Sequence, residues 1–178
     1  MVEPVYYVPI IPMILVNGAV GIGTGFSTKI PCYDPKTLIN IVRNKIKDPQ
    51  YQLEEDIFPA YKNFKGYIDK IGDDKYQTNG VYEIGPGGKS IIVTELPIGT
   101  WNEDYLVFLE KLLNAKNSVL KDYNDKSTDK DVYIELILAK KIKDANIPSV
   151  FKLQTTISTT NMNLFNEQEQ LVPYKKIN

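Results

Sequence analysis

Three glycines at alternate positions, Gly21, Gly23 and Gly25, surround Ile22 and Thr24 in the stretch VNGAVGIGTGFST. Removing side chains from alternate positions lets the backbone come close to a ligand or another chain, while Ile22 projects alone. A dinucleotide fingerprint is spaced G-x-G-x-x-G and opens a helix. Here the spacing is G-x-G-x-G, and Pro31 follows too soon for that helix. Gly87-Gly88-Lys89-Ser90 ends like a phosphate-binding loop, but the glycine that motif requires five positions earlier is Glu83, so a hairpin tip is the better reading. Glu54-Glu55-Asp56 clusters three carboxylates, as a magnesium site would; consecutive loop residues seldom converge on one ion, and a solvated face fits better. With no histidine and one cysteine, Cys32, the usual zinc sites and a disulfide framework are excluded. That usage accords with a reducing, intracellular compartment.

The elements that would hold these residues follow from periodicity and punctuation. Ile10, Ile11, Met13, Ile14, Leu15 and Val16 form an apolar run broken by Pro9 and Pro12, which predicts a buried extended segment rather than a helix. Asn17-Gly18 then marks a turn. Asp34-Pro35 starts a helix, with Leu38, Ile41, Val42 and Ile46 at helical spacing, and Asp48-Pro49 ends it. Residues 50–63 read as a connecting loop. Three strands are predicted at 64–71, 76–84 and 90–96, an antiparallel meander with glycine turns.

Thr100 and Glu103 form a capping-box pattern ahead of Tyr105, Leu106, Phe108, Leu109, Leu112 and Leu113, placing Trp101 in a helix's first turn. Residues 114–131 are polar and read as a long loop. Residues 132–139 alternate as a strand, a short helical turn precedes Pro148, and 150–165 suit another strand pair. The fold class is α+β, a mostly antiparallel sheet flanked by a few helices. It is expected as one domain over 1–178, with a glycine-loop segment at 1–33 and a mixed body at 34–178.

A length of 178 residues allows one domain with a real core, or two small lobes. Apolar content of 43% and charged content of 24% are those of a globular protein. No apolar run approaches the ~18 residues of a membrane span, so no membrane partner is expected. No basic segment precedes the first apolar run, as a secretory signal would require. A formal charge of −1 and a pI near 5.6 are unlike a free-standing nucleic-acid binder. Positive charge is local: Lys29, Lys36, Arg43, Lys45 and Lys47 outnumber Glu3, Asp34 and Asp48 in the first fifty residues.

Several blocks, in order, resemble one family. Glu3-Pro4, Tyr7, Pro9-Ile10-Ile11-Pro12-Met13, Asn17-Gly18 and Gly21-Ile22-Gly23-Thr24-Gly25 look like the segment of eukaryotic-type (type IIA) DNA topoisomerase II that follows the catalytic tyrosine. Tyr61-Lys62-Asn63-Phe64-Lys65-Gly66, Glu95-Leu96-Pro97 with Thr100-Trp101, and Val150-Phe151-Lys152-Leu153-Gln154-Thr155 with Leu164-Phe165 continue the resemblance. It spans nearly the whole chain. The resemblance implies the tower, or shoulder, part of the DNA-cleavage core of an ATP-dependent enzyme that passes one duplex through a transient break in another.

Proteins that bend duplex DNA often push an apolar wedge between base steps, and a lone isoleucine flanked by glycines suits such a wedge. By resemblance Ile22 corresponds to the isoleucine that intercalates and bends the cleaved segment; from residue types alone an ordinary core residue beneath a turn is the better reading, since isolated apolar residues in turns usually pack inward. The resemblance likewise places Gly21, Gly23, Lys62, Lys65, Trp101, Lys152, Gln154, Thr155, Thr156 and Asn161 at DNA-contacting positions. Their plain readings are solvated lysines, a half-buried tryptophan and a polar strand edge. Gly99 stands where many relatives have a basic residue.

No catalytic or metal-binding residue is expected in the chain. Tyr6 and Tyr7 lack a preceding arginine, and by resemblance the nucleophilic tyrosine, its arginine, Mg2+ and ATP belong to other parts of a homodimeric enzyme, of which this chain is a fragment. Double-stranded DNA is the implied partner. The implied location is intracellular, the nucleus for a cellular eukaryotic enzyme and the host cytoplasm or virion for a viral one. The reading from a different class is a protein-interaction module that docks a partner through its glycine loop.

Overall fold

A computed structural model describes residues 8–53 and 56–174. Its contacts divide the chain into two compact units, each assembled from separated stretches: 1–62, 72–76 and 157–178 in the first, 63–71 and 77–156 in the second.

In the first unit, α1 (Met13–Asn17) leads into a hairpin of β1 (Ala19–Gly23) and β2 (Phe26–Ile30). The expected buried extended segment is corrected in two respects. Pro12 is the N-cap of α1, so the prolines precede the helix instead of interrupting it. Val8 and Ile10 are 80% and 95% exposed, so the start of the run is not core. α2 (Pro35–Lys47) keeps the predicted bounds. The Asp34 carboxylate accepts from the Thr37 backbone N–H at 2.9 Å, and the Asp48 N–H closes the last turn on Asn44. Leu38 is its fully buried residue, and Ile30, Tyr33, Tyr76, Ile157 and Met162 are buried in the same unit. A second hairpin, β10 (Met162–Phe165) with β11 (Leu171–Tyr174), closes this unit.

The second unit is built on a four-stranded sheet, β5 (Val81–Ile84), β6 (Ser90–Glu95), β8 (Ile134–Leu138) and β7 (Leu120–Asp125), in that spatial order and antiparallel throughout. Ile91, Val93, Ile134 and Leu136 alternate onto one face and are fully buried against Tyr105 and Leu109 of α3 (Asn102–Leu113). Phe151 and Leu153, after the short α4 (Ile147–Val150), extend that core. Each such burial contributes about 1.5–3 kcal/mol. Fold class is as expected: the described residues form four helices and four small sheets, α+β.

The remaining sheet joins β3 (Tyr67–Gly72), β4 (Lys75–Asn79) and β9 (Gln154–Ser158) in the order β3-β4-β9. The predicted meander is therefore corrected. The stretch 76–84 is two strands that enter different sheets, broken at Gly80, where an added Cβ would fall 2.3 Å from the Glu95 carbonyl oxygen. The predicted pairing within 150–165 is replaced likewise: β9 joins β4, and β10 joins β11. The polar stretch 114–131 is not wholly loop, because β7 is an edge strand whose polar residues face solvent while Leu120 is buried. At α3 the N-cap is Trp101, without a side-chain cap hydrogen bond, so the capping box does not form.

Candidate functional site

The glycine-rich stretch of the first unit is a hairpin. Ala19 pairs with Ile30, Gly21 with Thr28, Ile22 with Ser27 and Gly23 with Phe26, leaving Thr24-Gly25 as a two-residue tip. Gly25 has φ +83°, which explains a glycine at the turn. Gly21 and Gly23 have no such requirement, since an added Cβ would meet its nearest atoms at ordinary distances of 3.5 and 3.7 Å. Packing within the chain does not explain why they are bare. Ile22 lies between them and is 91% exposed, so it is not a core residue. Val20 and Lys29 share its face, and Phe26, 64% exposed, extends from the other. Sequence reasoning passed over Phe26.

Asn161 belongs to the same unit, and its side chain is already engaged. Its Nδ2 donates to Ser27 Oγ at 2.7 Å, and its carbonyl accepts from the Lys29 N–H at 2.7 Å. Asn163 Nδ2 donates to the Ser27 carbonyl oxygen at 2.7 Å and to Asn161 Oδ1 at 2.8 Å. The sequence reading missed Ser27 and Asn163, although their small polar types near the glycine loop were a signal. Lys62 is exposed in this unit as well.

In the second unit, Gly99, Thr100, Asp104, Phe108, Lys152, Gln154 and Thr155 line a cleft of about 300 Å³. Lys152 is exposed, with φ +51°, and its Nζ stands 4.5 Å from the centroid of the Phe108 ring, a cation–π contact. Gln154 and Thr156 are exposed, and Gln154 Oε1 accepts from Gln77 at 3.3 Å. Thr155 is half-buried: its hydroxyl donates to the Ile98 carbonyl oxygen at 3.0 Å and lies 2.9 Å from Thr78 Oγ1. Its structural role is thus to tie β9 to its neighbours. Trp101 is 75% exposed, more than the half-buried packing reading allows. Lys65 is exposed, but its Nζ is 2.6 Å from Asp131 Oδ1, and that hydrogen bond raises the lysine's pKa.

The phenols of Tyr33, Tyr61 and Tyr105 are not activated as nucleophiles. Burial raises the phenol pKa of Tyr33 and Tyr105 and pushes that of Tyr61 up to about 12. Among the described residues no three His, Cys, Asp or Glu side chains gather as metal ligands. Tyr6, Tyr7, Glu54 and Glu55 lie outside the described residues, and Asp56 is exposed. No helix among the described residues is long and apolar enough to cross a membrane.

Known proteins share this chain's sequence and fold. The family model for DNA gyrase/topoisomerase IV, of the gyrase A type, matches residues 1–178. DNA topoisomerase 2 of Bombyx mori is 43% identical over 99% of this chain, and that of Plasmodium falciparum 39% over 97%. The chain spans 12% of the length of each of these relatives. The crystal structure of the Plasmodium falciparum topoisomerase II DNA-binding, cleavage and re-ligation domain superposes with a TM-score of 0.89 at 38% identity, covering 98% of this chain and 24% of that one. With a match over the full length in both sequence and fold, this chain belongs to the DNA gyrase/topoisomerase IV A-type family of type II topoisomerases, with relatives among the eukaryotic topoisomerase 2 enzymes.

Proposed function

We propose that this chain is the part of a type II topoisomerase's cleavage and re-ligation region that grips double-stranded DNA and bends it, with Ile22 as the wedge. The observation that carries the reading is an isoleucine 91% exposed at the end of a hairpin, between two glycines that the chain's own packing does not require. Bare backbone on either side lets the hairpin enter a groove closely enough for one apolar side chain to part a base step. Unstacking costs a few kcal/mol, which a wider contact with the bent duplex offsets.

The other positions sort by exposure and by the partners they have within the chain. Lys62, Trp101, Lys152, Gln154 and Thr156 are exposed and suit phosphate and sugar contacts, which position DNA without reading sequence. Lys65 would have to leave Asp131 to join them. Thr155 and Asn161 act through the fold.

The whole enzyme is proposed to be a homodimer that uses ATP and Mg2+ to pass one duplex through another, in the nucleus for a cellular eukaryotic source. The chain supports DNA, and its covalent chemistry would be supplied by other parts of the enzyme.

The test is fluorescence transfer across a short end-labelled duplex on adding a topoisomerase core that carries this chain, over a salt series. The expected result is increased transfer, with an affinity that falls steeply as salt rises. Binding without bending, or binding indifferent to salt, would favour a loop that docks a protein partner.

A further inference from the structure

Strand β2 of the hairpin that carries Ile22 is hydrogen-bonded to residues 161–163, ahead of its buried end at Ile30. Asn161 and Asn163 flank the buried Met162 and turn their amides onto Ser27, the residue directly across the hairpin from Ile22. Four contacts fall on Ser27, Thr28 and Lys29, two of them on Ser27. Asn161 Nδ2 donates to Ser27 Oγ at 2.7 Å, Asn163 Nδ2 to the Ser27 carbonyl oxygen at 2.7 Å, the Asn163 N–H to Thr28 Oγ1 at 3.1 Å, and the Lys29 N–H to the Asn161 carbonyl at 2.7 Å. A fifth bond, from Asn163 Nδ2 to Asn161 Oδ1 at 2.8 Å, locks the two amides to one another. Beyond Ser27 the hairpin tip, residues 23–26, is exposed.

We propose that Asn161 and Asn163 are positioning residues that set the angle at which Ile22 is presented, so that DNA bending depends on them although neither is the wedge. This rests on the wedge reading above. A two-stranded hairpin is marginally stable by itself, and a wedge that pivots would spend its contact energy on its own ordering. Anchoring the strand opposite Ile22 through two amides removes that freedom before DNA arrives. Asparagine suits the task because one amide carries two donor hydrogens and an acceptor oxygen: Asn163 Nδ2 donates to both Ser27 and Asn161, while Asn161 accepts from Asn163 and donates to Ser27.

The experiment compares bent fraction with duplex affinity in a topoisomerase core carrying this chain. The variants are Ser27→Ala, Asn161→Ala, the double variant, Asn163→Leu (similar in volume, without the amide) and Ile22→Ala as the reference. The expected result is a bent fraction about tenfold lower in Asn163→Leu, the equivalent of two ordinary hydrogen bonds, with affinity for a pre-bent duplex changed less than about twofold. Ser27→Ala and Asn161→Ala should fail to add, because both break the same bond. Additive losses would mean that Asn161 touches DNA directly, and would overturn the proposal. So would unchanged bending in Ser27→Ala and Asn163→Leu when Ile22→Ala abolishes it. Ser27→Ala removes one hydroxyl from an exposed residue, so it reports even where Asn163→Leu fails to fold. Unchanged bending in Ile22→Ala would overturn the wedge reading itself, a distinct failure.

Discussion

Replacing Ile22 by alanine separates the proposed wedge from the fold that carries it. In the free protein the side chain is 91% exposed and supports no core. Its loss should therefore cost within about 0.5 kcal/mol of folding stability and leave the melting temperature within about 2 °C. In the bent complex the same side chain would lie between bases, out of water. The substitution removes three carbons, and at about 0.8 kcal/mol per buried CH2 the bent state loses roughly 2.4 kcal/mol, close to a fiftyfold fall in the bent-to-straight ratio. Fluorescence transfer on a short labelled duplex reads that ratio, and anisotropy on the same duplex reads binding. Ile22→Leu, which keeps the apolar volume, should retain most of the bending. A fall in bent ratio of less than about threefold in Ile22→Ala, with folding and binding intact, would refute the reasoning. Ile22 would then be an exposed residue without a wedge role.

Three further outcomes are expected. Gly80→Ala should lower the melting temperature by several degrees, since the added Cβ must displace the Glu95 carbonyl now 2.3 Å away, at a cost of about 1–3 kcal/mol; an unchanged melt would mean that the β4–β5 junction yields easily. Asp131→Asn should leave stability nearly unchanged, because both partners of its ion pair are more than half exposed. It should tighten duplex binding at low salt by freeing Lys65, and equal or weaker binding across a salt titration would show that Lys65 does not reach phosphate. The Asp34 carboxylate is held below the ordinary aspartate range, first by the Thr37 backbone N–H and then by its hydroxyl. Its capping contribution to α2 should therefore be complete above that ordinary range and be lost as pH falls through the lowered value. Asp34→Asn should remove this acid-side dependence in a circular-dichroism titration, and a persisting one would place the titrating group elsewhere.

What was legible in the sequence is what neighbours in the chain decide. Asp34-Pro35 and Asp48-Pro49 bracket α2 because capping and proline geometry act within four residues. The alternation of Ile134, Leu136 and Leu138 marks β8 because a strand has a period of two. The glycine triplet marks a bare, tight segment for the same local reason. The family resemblance is equally a property of residue order, and it named the positions now placed.

The tertiary structure decided everything that depends on partners far along the chain. Gly80 divides one apparent strand because the Glu95 carbonyl comes back against it. The polar segment Leu120–Asp125 becomes a strand because β8 offers it a ladder, and no local pattern records that offer. The resemblance marks Lys65 and Thr155 as DNA-contacting positions, and the partners they have within the chain, Asp131 for one and Ile98 and Thr78 for the other, come from the tertiary structure. Asn161 meets Ser27 across 134 residues. Ile22 could be buried or bare until the hairpin formed, because burial belongs to the packed chain, and the sequence carries only the option.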